Sequence, residues 1–112
     1  MKRCEMLCAS LCEALGSEPG YSLPVGVISS LEFNKRNIKT VFVAVVTSNL
    51  RLADAPGNFA VSKKESGLSK ESVVNVSQLL TLDESFLVDK AGKLPSKMLV
   101  SLNEGLKLVL SI

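Results

Sequence analysis

A chain of 112 residues supplies the core of one domain, expected to span residues 1–112, and leaves no length for a second catalytic one. Hydrophobic residues at 46%, charged residues at 21%, and seven glycines with four prolines spread thinly exclude a disordered, collagenous or coiled-coil chain. The net charge of +2 is too small to identify a polyanionic partner, but the charges are unevenly placed. Two basic and four acidic side chains fall in residues 1–32, seven and two in 33–70, and four and five in 71–112, so the middle third is the basic one at +5.

Residues 4–12 (CEMLCASLC) fit either a strand or a helical turn and hold all three cysteines, Cys4, Cys8 and Cys12. Their C-x3-C-x3-C spacing would align three thiols on a helix face as a soft-metal site. No CxxC pair or fourth ligand accompanies it, so no metal is expected and buried apolar thiols are the reading. With no secretory signal ahead of Cys4, they are expected to be reduced, in a cytoplasm. Glu13 to Pro24 carries Gly16, Pro19, Gly20 and Pro24 and reads as a long surface loop.

Val25–Ser29 and Thr40–Thr47 are β-branched runs bounded by turn residues, hence strands; the second is apolar on both faces and therefore central. Between them Ser30–Lys39 fits one helical turn or a hairpin arm, with Asn34 to Asn37 at its exposed end. Asn49–Asn58 reads as a loop, Phe59–Val61 as a short strand and Ser62–Glu71 as a solvated polar stretch. Ser72–Leu82 is a strand whose Asn75, Ser77, Gln78 and Thr81 make one face polar enough to line a site. Leu87-Val88 is a further short strand, followed by a turn at Ala91-Gly92.

From Ser96 onward Leu99, Leu102, Leu106 and Val109 recur at spacings of three and four behind Pro95. That is an amphipathic helix, tolerating Gly105 at about 1 kcal/mol relative to Ala. The longest apolar runs, Thr40–Val46 and Leu106–Leu110, fall far short of the ~20 residues that span a bilayer, so no membrane is expected.

The absence of histidine excludes a Ser-His-Asp or Cys-His pair, a His-based zinc site and the ordinary near-neutral base. The Gly16–Gly20 loop lacks the Lys-Ser/Thr tail of a phosphate-binding loop and does not follow G-x-G-x-x-G. Its carboxylate, Glu18, can take a hydrogen bond or a proton, and taken alone reads as a solvated turn residue. Thr47-Ser48-Asn49 places two hydroxyls and an amide where a strand gives way to a loop, a usual position for binding groups. Lys35, Arg36, Lys39 and Arg51 suit phosphates as well as they suit plain solvated surface. For base stacking only Tyr21 and four Phe are present.

In their order, several segments resemble the MazF/PemK/Kid toxins of bacterial toxin–antitoxin pairs. They are Gly16-Ser17-Glu18-Pro19-Gly20, Leu23-Pro24-Val25-Gly26-Val27-Ile28-Ser29, Phe33-Asn34, and the run from Thr40 that ends Val46-Thr47-Ser48-Asn49-Leu50. Gly67-Leu68-Ser69-Lys70-Glu71-Ser72-Val73-Val74 with Gln78 and Thr81 is similar to the family's second signature, and the terminal helix is similar too. The resemblance implies a mainly β (α+β) fold, an SH3-like barrel of antiparallel strands with a C-terminal amphipathic helix. It implies a homodimer that cuts single-stranded mRNA at short sequences without metal or cofactor. A cognate antitoxin is the implied partner, its acidic, partly disordered C-terminal segment covering the RNA channel, and operator DNA is reached only through that antitoxin.

In such a ribonuclease the ribose 2′-hydroxyl attacks the adjacent phosphate, so the protein must manage two protons and stabilise added charge. The family does this with an Arg and a Thr. Thr47 matches the Thr, Glu18 the loop carboxylate and Gln78 a polar residue beside the channel; Ser17, Leu23, Pro24, Ser48 and Arg51 are expected along the RNA path. The Arg stands immediately before the Pro of the family's R-P-V, and that place is Leu23 here. Losing a transition-state donor typically costs 10²–10³ in rate, about 2.7–4 kcal/mol. Cys4 replaces the Gly of the family's K-R-G opening, and Gly26 interrupts a Val-rich strand. Cleavage is therefore expected to be attenuated or lost. A second reading is a catalytically silent homologue that still captures antitoxin. A third is a gyrase-poisoning relative, disfavoured by Thr47-Ser48 and Glu18.

Overall fold

The run Thr40–Thr47 has no polar face to offer solvent, and it forms strand β3 in the interior of a sheet, between β2 (Ser22–Val27) and β5 (Ser72–Asp83). A computed structural model describes residues 3–10, 22–35 and 39–112. Within them β1 (Glu5–Ser10) pairs with both β2 and β6 (Leu87–Lys93), and β4 (Phe59–Val61) pairs with β5. The result is an antiparallel sheet in the order β4-β5-β3-β2-β1-β6, so the mainly β expectation holds. Among the described residues the α-helices on it are α1 (Leu31–Asn34), α2 (Lys63–Ser66) and α3 (Ser96–Leu110).

Successive residues of β3 feed different cores. Val41 and Val43 pack with Leu7, Ala9, Val25 and Val27, whereas Ala44 and Val46 pack with Met6, Val74, Val76, Leu102 and Leu106 under α3. From Val43 to Val46 both faces are covered, which removes the need for a polar residue there, while Phe42 is exposed and stacks on Phe33.

The sheet curls because its two edges are brought together. α2 follows edge strand β4 in sequence yet packs against β6, the opposite edge. That contact is backbone against backbone: a Cβ on Gly67 would lie 2.2 Å from the carbonyl oxygen of Ala91, and one on Gly92 would lie 2.7 Å from that of Ser66. Ala91-Gly92, expected to be a turn, thus lies inside β6, and the glycine marks a close backbone approach.

The polar stretch Ser62–Glu71 is likewise more than solvated surface. Ser62 and Glu65 form a reciprocal capping box (3.0 and 2.9 Å), Gly67 ends α2 in the left-handed region (φ 77°), and Ser66 is wholly buried. The Ser62 N–H, assisted by Lys97 at 3.3 Å, holds the Glu65 carboxyl below its ordinary pKa. Its stabilising effect is therefore complete above that ordinary value and is lost as pH falls through the lowered one.

Leu102 and Leu106 of α3 are buried as the spacing predicts, whereas Val109 is partly exposed, because the core ends before the helix does. Gly105 is not merely tolerated. A Cβ there would lie 2.3 Å from the carbonyl oxygen of Gly57. Helix propensity alone would make Gly105→Ala stabilising by about 1 kcal/mol; displacing a backbone segment costs about 1–3 kcal/mol. We expect the contact to win, so that the variant melts below the parent in a thermal scan; a higher Tm would mean the Gly57 loop yields freely.

Cys4 adopts φ 71°, a conformation that disfavours any side chain by about 1–2 kcal/mol. That is the physical reason a glycine suits this position. Its backbone is nevertheless fixed, donating to Val27 O (2.7 Å) and accepting from Leu94 N (3.0 Å).

β5 is broken where Asn75 pairs with Val45 but Leu79 pairs with Ala44, leaving Val76 to Gln78 as a bulge. Asn75 Oδ1 accepts from Ser77 N (3.2 Å) and Ser77 Oγ (2.6 Å), while its Nδ2 donates to Gln78 Oε1 (2.8 Å). Of the polar residues that the sequence assigns to a site-lining face, Asn75, Ser77 and Gln78 hold this bulge together, and Thr81 lies beyond it opposite Phe42.

Candidate functional site

β3 ends in two consecutive side-chain caps. Thr47 Oγ1 accepts from Asn49 N (3.1 Å) and Asn49 Oδ1 accepts from Arg51 N (3.3 Å), turning the chain into a 3-10 segment at Leu50–Asp54. A hydroxyl has two acceptor lone pairs and one proton, so Thr47 remains able to donate. It stands opposite Val73 in the β3–β5 ladder, at the mouth of a cavity of about 570 Å³.

Leu23 and Pro24 of β2 form one wall of this cavity, Thr47 and Ser48 a second, and Ser69, Lys70 and Ser72 a third; Cys8, opposite Pro24 in the β1–β2 pairing, also lines it. Four residues named from the sequence, Leu23, Pro24, Thr47 and Ser48, are thus brought together from two strands. Arg51 is exposed on the 3-10 segment and Gln78 on the β5 bulge, and neither is in this lining. Glu18 and Ser17 lie outside the described residues, as do Arg36, Tyr21 and Cys12.

The third wall is what sequence reasoning missed. Gly67-Leu68-Ser69-Lys70 was legible as a signature but not as a surface facing Thr47. The signal available was a glycine at a helix end followed by hydroxyls and a cation. Among the described residues Lys70 is the only charged side chain lining the cavity.

The cysteines divide. Cys8 lies on strand β1 and Cys4 just ahead of it, where a metal reading would need a helix face, and among the described residues no three His, Cys, Asp or Glu side chains converge. Cys4 is buried and its thiol pushed up by that burial; Cys8 is half-buried on the cavity wall, not the enclosed apolar thiol expected. A maleimide should therefore modify Cys8 well before Cys4. Peptide mass mapping of a brief labelling reaction checks this; equal labelling would mean that the β1–β2 pair opens readily.

The sequence matches the family described as PemK-like, MazF-like toxin of type II toxin-antitoxin system over residues 2–110. It is 37% identical to "Endoribonuclease MazF6" of Mycobacterium tuberculosis (strain ATCC 25618 / H37Rv), over all of this chain and 98% of that one. It is 30% identical to "Endoribonuclease EndoA" of Bacillus subtilis (strain 168), over all of this chain and 96% of that one. An "Endoribonuclease in complex with its cognate antitoxin from Mycobacterial species" superposes with a TM-score of 0.80 at 19% identity, covering all of this chain and 96% of that one. With family, fold and relatives in agreement over its whole length, the chain belongs to the PemK/MazF family of type II toxin–antitoxin toxins.

Proposed function

We propose that the chain is a single MazF/PemK-like domain acting as a metal-independent endoribonuclease on single-stranded mRNA, with cleavage attenuated by Leu23. The observation that carries this reading is the cavity itself: Thr47 and Ser48 at the end of β3 face the Leu23-Pro24 wall in a relative of proteins named endoribonucleases. In this mechanism the ribose 2′-hydroxyl gives up its proton and attacks the neighbouring phosphate, the P–O5′ bond breaks, the 5′-oxygen takes up a proton to leave as a hydroxyl, and the Thr47 hydroxyl donates to a phosphate oxygen as charge builds on it. Glu18 is the candidate proton acceptor, with Ser17, Pro24, Ser48, Arg51 and Gln78 as candidate contacts along the RNA. An mRNA target implies a cytoplasmic site of action. Among the described residues no helix is long and apolar enough to cross a membrane.

The active form in this reading is a homodimer. Val100 (63% exposed), Leu108 (61%) and Ile112 (83%) leave apolar surface on and beyond α3 that suits a second copy. The regulating partner is a cognate antitoxin, supported by the antitoxin complex of the structural relative and by the basic middle third, which suits an acidic segment.

The test is incubation of the purified protein with a long RNA in excess EDTA, followed by mapping of the ends. Cuts at a short recurring sequence leaving 2′,3′-cyclic phosphates are expected. Leu23, with no charge and no proton to exchange, specifically favours the second reading, a silent toxin homologue that only captures antitoxin; intact RNA together with tight antitoxin binding would establish it.

A further inference from the structure

The family's arginine position holds leucine, yet the cavity beside Thr47 is not without a cation. Lys70 lines it from the wall across from Leu23-Pro24, on the segment that runs directly into Val73, the ladder partner of Thr47. That segment is stiff. Leu68 N donates to the buried Ser66 hydroxyl (3.1 Å), and the buried Ser72 hydroxyl donates to the carbonyl oxygen of Lys70 (2.9 Å).

The adjacent carboxylate is turned away, Glu71 Oε2 accepting from Lys63 N at 2.7 Å. Among the described residues the ion pairs join Lys90 to Glu5 and Lys97 to Glu65, so neither engages Lys70. An ammonium on a fixed backbone, without a carboxylate partner among the described residues and sharing a cavity with the Thr47, Ser48 and Ser69 hydroxyls, matches a phosphodiester oxygen.

We propose that Lys70 contacts a backbone phosphate of single-stranded RNA lying beside Thr47 and supplies there the positive charge that Leu23 cannot. The inference rests on the ribonuclease reading and adds to it a residue and a role. Arg51, nearer to Thr47 in sequence, does not take this role, because it lies outside the lining.

Lys70→Gln and Lys70→Arg test it, with Lys107→Gln, an exposed charge on α3, as the control. A fluorescent 2′-O-methyl oligoribonucleotide of mixed sequence, which cannot be cleaved, reports binding by anisotropy between 50 and 300 mM salt. A long RNA in EDTA reports cleavage. Lys70→Gln should flatten the log–log salt dependence by about 0.7, the loss of one phosphate contact on a single strand. It should also lower kcat/KM about tenfold, while Lys70→Arg restores both and Lys107→Gln changes neither. If the parent binds and cuts RNA but Lys70→Gln keeps the same slope and rate, the role of Lys70 is wrong and the ribonuclease reading stands. If the parent neither binds the probe nor cuts, the ribonuclease reading falls and the role of Lys70 falls with it.

Discussion

Leu23→Arg should raise RNA cleavage by about 10²–10³, the usual worth of a positioned transition-state donor. Leu23 shares the cavity with Thr47, so an arginine there reaches the same ligand without any rearrangement of the sheet. The backbone before Pro24 is already extended, which suits the substituted residue. Leu23 also packs against the Leu7–Val25 core, but the arginine's aliphatic stem can cover that surface while its guanidinium points into the cavity.

The gain should persist whether or not Lys70 contributes, because an ammonium is a point charge and a guanidinium grips two oxygens at once. It should vanish in Leu23→Arg/Thr47→Ala and survive EDTA. A folded, dimeric Leu23→Arg protein that cuts no faster than the parent would show that the site lacks more than its arginine.

Gly67→Ala carries the largest expected loss of stability. A left-handed backbone costs alanine about 1–2 kcal/mol, and a Cβ 2.2 Å from the Ala91 carbonyl oxygen has no flexible neighbour to displace. Moving that backbone adds about 1–3 kcal/mol. Taken together the change should lower Tm by roughly 10–20 °C in a chain of this size. Gly26→Ala is the informative contrast, since its Cβ would meet only Met6 Sδ at 3.3 Å, the movable end of a side chain. Similar small shifts for both variants in calorimetry would mean that the α2–β6 contact is soft and that something else closes the sheet.

The central strands β3 and β5, the terminal helix and the Thr47 corner were legible because period-2 and 3.6-residue patterns are local, whereas β1 stayed open between strand and helix, the Ser22–Pro24 start of β2 read as loop and the Ala91-Gly92 part of β6 read as a turn. β3 and the Leu102/Leu106 face of α3 follow directly from spacing. What stayed hidden was set by distant partners. Nothing local says that Gly92 must admit the Ser66 carbonyl, that Gly105 must admit that of Gly57, or that Asn75 ties a bulge. Lys70 was hidden for the same reason, since the cavity it shares with Thr47 is built from segments far apart in sequence.

The meeting of the sheet's two edges also fixes when in the life of the chain the cavity comes into being. Its walls draw on residues from Cys8 to Ala91, and Cys8 lies on β1, whose outer partner β6 follows every other lining segment in sequence. During synthesis, β1 to β5 can emerge while β1 still lacks its neighbour and the Ser69–Lys70 wall has no Ala91 to rest against. Until Leu87–Lys93 has paired with β1, the chain carries Thr47 in a cavity that still lacks its Ala91 side. The Ala91 side is therefore the last part of the cavity to be put in place, and it depends on a strand far in sequence from Thr47.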